Sequence, residues 1–111
     1  MSTTLNLSEI QHLSARWVEL IRTEYAERNR APHRRRLLGI VQGIHAKIDE
    51  KLIDNESSVV GPGLRDAVLD LDVLMQSIPA RTVGRDGRMM GWERLARGAA
   101  ERLRREVVTC R

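Results

Sequence analysis

The side chains suited to acid–base or nucleophilic chemistry include His45 and Asp49, which stand one helical turn apart. At that spacing a carboxylate can hydrogen-bond an imidazole and hold it in one orientation. Nucleophilic catalysis also needs a hydroxyl or thiol beside the histidine, and the sequence spacing indicates none. We therefore expect His45 and Asp49 to form a pair on the surface, without a catalytic role.

Asp66 and Asp70 form a second pair one helical turn apart. Paired carboxylates act in glycosidases and in two-metal sites, but there they usually come from different elements that line a cleft. Two carboxylates on the exposed face of one helix stay solvated instead. We interpret Asp66 and Asp70 as part of an acidic docking surface for a partner; the alternative is that they are solvated carboxylates without a role.

The remaining residues with chemical potential do not assemble into a recognisable catalytic or metal site. His12, His33 and His45 lack the spacing of metal ligands, and the single cysteine, Cys110, stands one residue from the end. The glycine-rich stretch 84–91 lacks the Gly-Lys-Ser/Thr ending of a phosphate loop. We predict that the protein uses no metal and no cofactor and is not an enzyme.

Arginine dominates the basic residues of this chain. Of the 19 Lys and Arg residues, 17 are arginine, and the net charge is +4. Five arginines fall in residues 28–36, which contain no acidic residue, and nine fall in residues 77–111, whereas residues 37–76 are acidic. The planar guanidinium fork binds carboxylates, phosphates and aromatic faces. This segregation indicates a protein that works by binding.

Helices must position these residues, because apolar residues recur at helical spacing and aromatic residues are scarce. Asn6 and Glu9 match a capping box, Pro32 suits the first turn of a helix, and Pro79 ends one. The sequence predicts an all-α, four-helix single domain over residues 1–111. Its helices are predicted at about 6–30, 32–55, 63–78 and 90–108, with a Gly/Arg-rich loop at 79–91.

Two of these helices carry more apolar surface than one neighbouring helix can cover. The apolar stripe of the second helix, centred on Ile44, spans roughly 160° of its circumference, so two or more elements should pack on it. The third helix has an extra ridge, Leu69 and Val73, on the side away from its main stripe. In the last helix we place Trp92 and Leu95 on the packing face.

The chain contains no stretch of roughly 20 apolar residues that could span a membrane, and it lacks the pattern of a signal peptide. We expect a cytoplasmic protein that binds no membrane. Surplus apolar surface in a short chain favours self-association or capture of a protein partner. The predicted function is therefore regulation through protein–protein contacts, with the chain as a homodimer.

The predicted partner-binding residues lie on the third helix and in the arginine blocks. They are Leu69, Val73, Asp66, Asp70, Arg34, Arg35, Arg36, Arg85 and Arg88. The alternative is a small basic nucleic-acid-binding regulator whose arginines contact phosphates. Against this alternative, no helix-turn-helix with a polar recognition helix is evident.

Two stretches, Arg34-Arg35-Arg36-Leu37-Leu38 and Trp92-Glu93-Arg94-Leu95-Ala96-Arg97, together with the length and the helical layout, carry a resemblance to a known family. The chain resembles the small bacterial antiactivators of quorum sensing, which are helical proteins that bind a LuxR-type transcription factor. The resemblance implies inhibition by sequestration. Apolar helix faces of this chain would cover the dimer or DNA-binding surface of the regulator, and arginines would fix the orientation.

Overall fold

Four α-helices account for nearly all of the described chain. The structure is a computed structural model that describes residues 5–24, 31–55, 59–78 and 86–109. Helix α1 spans Leu7–Glu24, α2 Ala31–Asn55, α3 Pro62–Gln76 and α4 Asp86–Thr109. The described ranges contain no strand, only an isolated antiparallel bridge between Asn6 and Val59. The predicted all-α, four-helix fold is confirmed.

The predicted helix starts hold for α1, α2 and α3. The Asn6 side-chain oxygen accepts a hydrogen bond from the Glu9 backbone N–H at 2.8 Å, as a capping residue does. Pro32 lies in the first turn of α2, and Pro62 is the first residue of α3. Proline is favoured there because an N–H in the first turn has no partner within the helix.

The predicted loop at 79–91 is wrong for its second half, because α4 begins at Asp86. An aspartate in the first turn of a helix complements the positive end of the helix dipole, and a glycine such as Gly87 costs only about 1 kcal/mol there. The turn that we predicted at Asp86-Gly87 is therefore the start of a helix. The rest of that loop, residues 79–85, and the predicted end of α1, residues 25–30, lie outside the described residues.

The helices form two antiparallel pairs, α1 with α2 and α3 with α4. Each helix of one pair also has a neighbour in the other, since α1 packs on α3 and α2 packs on α4, while α1/α4 and α2/α3 are diagonal. The Val60 backbone N–H donates to the Leu5 carbonyl at 2.9 Å, which brings the starts of α1 and α3 together. It follows that α2 and α4 both begin at the other end of the bundle.

The core is aliphatic with two tryptophans at its edges. Trp17 is completely buried and donates its indole N–H to Asp72 Oδ1 at 2.9 Å, while the indole N–H of Trp92 donates to the Leu74 carbonyl at 2.9 Å. The buried apolar residues that unite the four helices are Leu5, Ile10, Trp17, Ile21, Leu37, Val41, Ile44, Ile48, Leu64, Ala67, Val68, Leu71, Met75, Trp92, Ala96, Ala100, Leu103 and Val107. The wide stripe of α2 is covered by α1 and α4, as predicted.

Two contacts outside the core also join α3 to α4. Arg102 of α4 pairs with Asp70 of α3 at 3.0 Å. At the start of α3, a Cβ on Gly63 would lie only 3.2 Å from Glu106 Oε2, so the absence of a side chain lets α4 approach closely.

Candidate functional site

The outward face of α3 carries the four residues that the sequence predicts there. At about 100° per residue, Asp66, Leu69, Asp70 and Val73 fall on the side away from the buried stripe. Val73 is 66% exposed, whereas Leu69 is half-buried and packs against the core. Of the two residues of the ridge, Leu69 therefore contributes to the core, whereas Val73 is free to contact a partner.

The carboxylates of α3 already have partners within the chain. Asp70 pairs with Arg102 at 3.0 Å and Asp66 with the adjacent Arg65 at 3.4 Å, all four on the surface or at its edge. Exposed pairs of this kind contribute little stability, about 0–1 kcal/mol each. Since each carboxylate sits beside a cation, the face of α3 presents both charge signs rather than a purely acidic surface.

Leu95 of α4, the helix next to α3, is a further exposed apolar residue, which the sequence pattern did not indicate. We predicted Leu95 on the packing face of α4, but its side chain is 63% exposed. The buried residues of α4 form a narrow stripe through Ala96 and Ala100, and Leu95 lies about 100° away from Ala96. It shares a side of α4 with Arg102, two turns later, which reaches Asp70 of α3. We call Leu69, Val73 and Leu95 the outer apolar surface.

A hydroxyl does lie beside His45, contrary to our expectation from the sequence. Ser14 of α1 places its Oγ 2.6 Å from His45 Nδ1, and His45 Nε2 lies 3.5 Å from Asp49 Oδ2. Gln11 completes the cluster by donating from Nε2 to Asp49 Oδ1 at 2.5 Å. The sequence could not show this arrangement, because Ser14 and His45 belong to different helices.

This serine–histidine–aspartate cluster has a structural explanation. Ser14 is completely buried, and its hydroxyl also contacts the Gln11 carbonyl at 2.9 Å within α1. A nucleophile must reach the reacting atom of a substrate, and a hydroxyl without exposed surface cannot do so in this conformation. The cluster ties α1 to α2 with polar contacts at the edge of the core.

An open groove of about 390 Å³ lies next to this cluster, at the end of the bundle where α1 begins and α2 finishes. Its lining residues are Ser8, Gln11, Asp49, Leu52 and Ile53. Among the described residues, no group of three or more His, Cys, Asp or Glu side chains is placed to hold a metal ion. The groove therefore offers polar and apolar contacts, but its described residues include no set of side chains placed to bind a metal ion.

The predicted arginines lie away from the outer apolar surface. Arg34, Arg35 and Arg36 occupy the second turn of α2, which is diagonal to α3. Arg88 lies in the first turn of α4, where its side chain is outside the described part, and Arg85 lies outside the described residues altogether. The structure thus separates the α3 residues from Arg34–Arg36 and does not unite them in one interface.

One described carboxyl group has a perturbed acidity. Burial raises the pKa of Glu93, in α4, above its ordinary value, and the charge of Arg97 one turn later lowers it in part. Desolvation is the larger of the two effects. Glu93 is therefore a carboxylate whose ionised form the fold disfavours.

In comparisons with protein families, with curated proteins and with solved structures, this chain has no match. Among the described helices, none combines the length and the apolar character needed to cross a membrane. What the molecule binds must therefore be argued from its own surfaces.

Proposed function

We propose that the protein is a non-enzymatic regulator that acts by protein–protein binding through the outer apolar surface. The observation that carries this proposal is the exposure of Val73 and Leu95, at 66% and 63%, on neighbouring helices. Burying a side chain of this size contributes about 1.5–3 kcal/mol, so two of them beside a half-buried leucine can anchor an interface. The Asp70–Arg102 pair beside them would supply orientation.

A second copy of the chain is the first partner of this surface. A two-fold interface is self-complementary, and this face offers both charge signs around an apolar centre, so that Asp66 and Asp70 of one copy can meet Arg65 and Arg102 of the other. The wide stripe of α2 gives no support to a dimer, because α1 and α4 cover it. The homodimer proposal therefore rests on α3 and α4 alone.

The resemblance to quorum-sensing antiactivators suggests which protein this chain regulates. We propose that a LuxR-type transcription factor competes with the second copy for this surface. Once the homodimer has dissociated, the outer apolar surface covers the dimer or DNA-binding surface of the regulator and so inhibits it. Sequestration of this kind needs no catalytic group.

The test compares two valine-to-aspartate variants. Val73→Asp places a charge in the centre of the proposed interface, while Val108→Asp makes the same change at a residue of similar exposure, 60%, one residue before the end of α4. Sedimentation equilibrium measures the mass of each variant. A purified LuxR-type regulator bound to labelled operator DNA then measures inhibition as release of the DNA.

We expect the parent and Val108→Asp to be dimers and to release the regulator from its operator. We expect Val73→Asp to be a monomer and to leave the regulator on its operator, because a charge cannot be buried at this position without a partner. A monomeric parent removes the homodimer. A Val73→Asp variant that still releases the regulator shows that the outer apolar surface is not the binding site.

A further inference from the structure

One end of the bundle collects arginines from three helices. It is the end where α1 finishes and where α2 and α4 begin, and we call it the basic end. Its described arginines are Arg22, Arg34, Arg35, Arg36 and Arg94. Because α2 lies between α1 and α4, the three arginines of its second turn stand between Arg22 in the last turn of α1 and Arg94 in the third turn of α4.

The five arginines of the basic end have no acidic partner among the described residues, a property that they share with Arg16, Arg97 and Arg105 elsewhere in the bundle. Away from the basic end, four basic side chains have such a partner, in the pairs Lys47–Glu50, Arg65–Asp66, Arg102–Asp70 and Arg104–Glu101. The charge of the basic end is therefore left for a ligand from outside, while much of the charge elsewhere is neutralised internally.

The start of α2 adds a second sign of a missing anion. The described first turn of α2 contains no acidic residue, and three arginines follow at the positive end of the helix dipole, where cations are unfavourable. Arg34 is half-buried, and its Nε is completely buried without a hydrogen-bond acceptor among the described residues. A buried donor without an acceptor is rare. Because this Nε is closed to solvent, an anion from outside would be bound by the arginines of this turn and not by the Nε itself.

We propose that the basic end binds the phosphate backbone of nucleic acid. This goes beyond the proposed function, since it concerns another surface and another class of partner. The shorter dimensions of the molecule are 29 and 20 Å. A duplex carries one charge per roughly 1.7 Å of its axis with both strands counted, so a span of 20 Å contains about 12 phosphates, and those on the near side face the protein. An extended peptide of about 3.3 Å per residue would present at most about six side chains there, and every one would have to be acidic.

The binding should not depend on base sequence. Trp92 is buried, so no described aromatic side chain at this end can stack on a base, and guanidinium groups alone contact phosphates. With five arginines in contact, the logarithm of the affinity should fall with the logarithm of the salt concentration with a slope of roughly −4 to −5. Between about 50 and 200 mM salt the affinity would then fall several hundredfold.

The test uses two matched double variants of the full chain. Arg35→Gln/Arg36→Gln removes two consecutive exposed arginines at the basic end, and Arg104→Gln/Arg105→Gln removes two consecutive exposed arginines near the far end of α4. The net charge falls equally in both. Fluorescence anisotropy of a labelled DNA duplex of arbitrary sequence measures the Kd across salt concentrations, and circular dichroism confirms that each variant is helical.

We expect the parent and the Arg104/Arg105 variant to show the same slope of log affinity against log salt concentration. For the Arg35/Arg36 variant we expect a slope that is smaller in magnitude by about 2. If that variant does not fold, Arg22→Gln/Arg94→Gln takes its place with the same expectation. The proposal is overturned if the parent does not bind at about 50 mM salt, if the two variants lose affinity equally, or if polyglutamate competes as well as unlabelled DNA. The last result would assign the basic end to acidic proteins.

Discussion

Ile44 and Ile53 allow the core of the bundle to be tested with one substitution at two positions of the same helix. Ile44 is 1% exposed at the centre of the α2 stripe, while Ile53 is 81% exposed nine residues later. Isoleucine to alanine removes three carbon groups, and about 0.8 kcal/mol for each buried one gives roughly 2.4 kcal/mol for Ile44. The cavity left between α1, α2 and α4 adds to this, so we expect a total of about 2–5 kcal/mol.

The same change at Ile53 should have almost no effect. Only about a fifth of its side chain is covered, so the lost burial is roughly 0.5 kcal/mol. Alanine is the better helix former by a few tenths of a kcal/mol, which offsets most of that loss. The free energy of unfolding of Ile53→Ala should thus lie within about 0.5 kcal/mol of the parent.

Urea unfolding followed by tryptophan fluorescence measures both variants, because Trp17 and Trp92 are buried in the fold and become exposed on unfolding. For a chain of this size the loss at Ile44 corresponds to a fall in Tm of roughly 8–20 °C. The denaturant slope should stay the same if both variants unfold in one step. Equal free energies of unfolding for Ile44→Ala and Ile53→Ala would show that the α2 stripe is misassigned.

Three further substitutions test single contacts. Asp72→Ala should lower the free energy of unfolding by about 1–3 kcal/mol, because it leaves the buried indole N–H of Trp17 without an acceptor. In a double-mutant cycle, the same change made in a Trp17→Phe background should lower it by less. Leu69→Asp should lower the Tm, because Leu69 packs against the core, whereas Val73→Asp should not; equal melting curves contradict this difference. Since burial gives Glu93 a higher pKa in the folded than in the unfolded chain, ionisation above its ordinary pKa of 4.5 weakens folding. Glu93→Gln should therefore gain urea stability relative to the parent between about pH 3 and pH 7, and parallel pH profiles would exclude this effect.

The fold could be predicted because the spacing of apolar residues within each helix indicates which face is buried. Ile44 and its neighbours at helical spacing mark the core of α2, and Asn6 with Glu9 marks the start of α1. The start of α4 could not be predicted in the same way. Asp86 and Gly87 favour both a turn and the first turn of a helix, so the local sequence does not decide between the two.

The surfaces were harder to predict than the core, because they depend on the order in which helices pack. Leu95 falls on the edge of the apolar stripe of α4, and whether such a residue is covered depends on how closely α3 approaches. The contact of Ser14 with His45 joins residues 31 apart in the sequence, which no local spacing can reveal. The predictions for Leu95 and His45 were wrong because both depend on contacts between helices. Leu95 was predicted to be buried, and His45 was predicted to have no hydroxyl beside it.

The arrangement of helices also changes the meaning of the two arginine blocks. In the sequence they flank an acidic stretch, and this segregation indicates a protein that works by binding. In the bundle, α2 and α4 run in the same direction side by side, so Arg94 of α4 lies at the same end as Arg34, Arg35 and Arg36 of α2. The acidic helix α3 is diagonal to α2 and pairs with Arg102, from the later part of α4. A protein held on α3 and α4 would leave Arg35 and Arg36 of α2 open to a second, anionic partner.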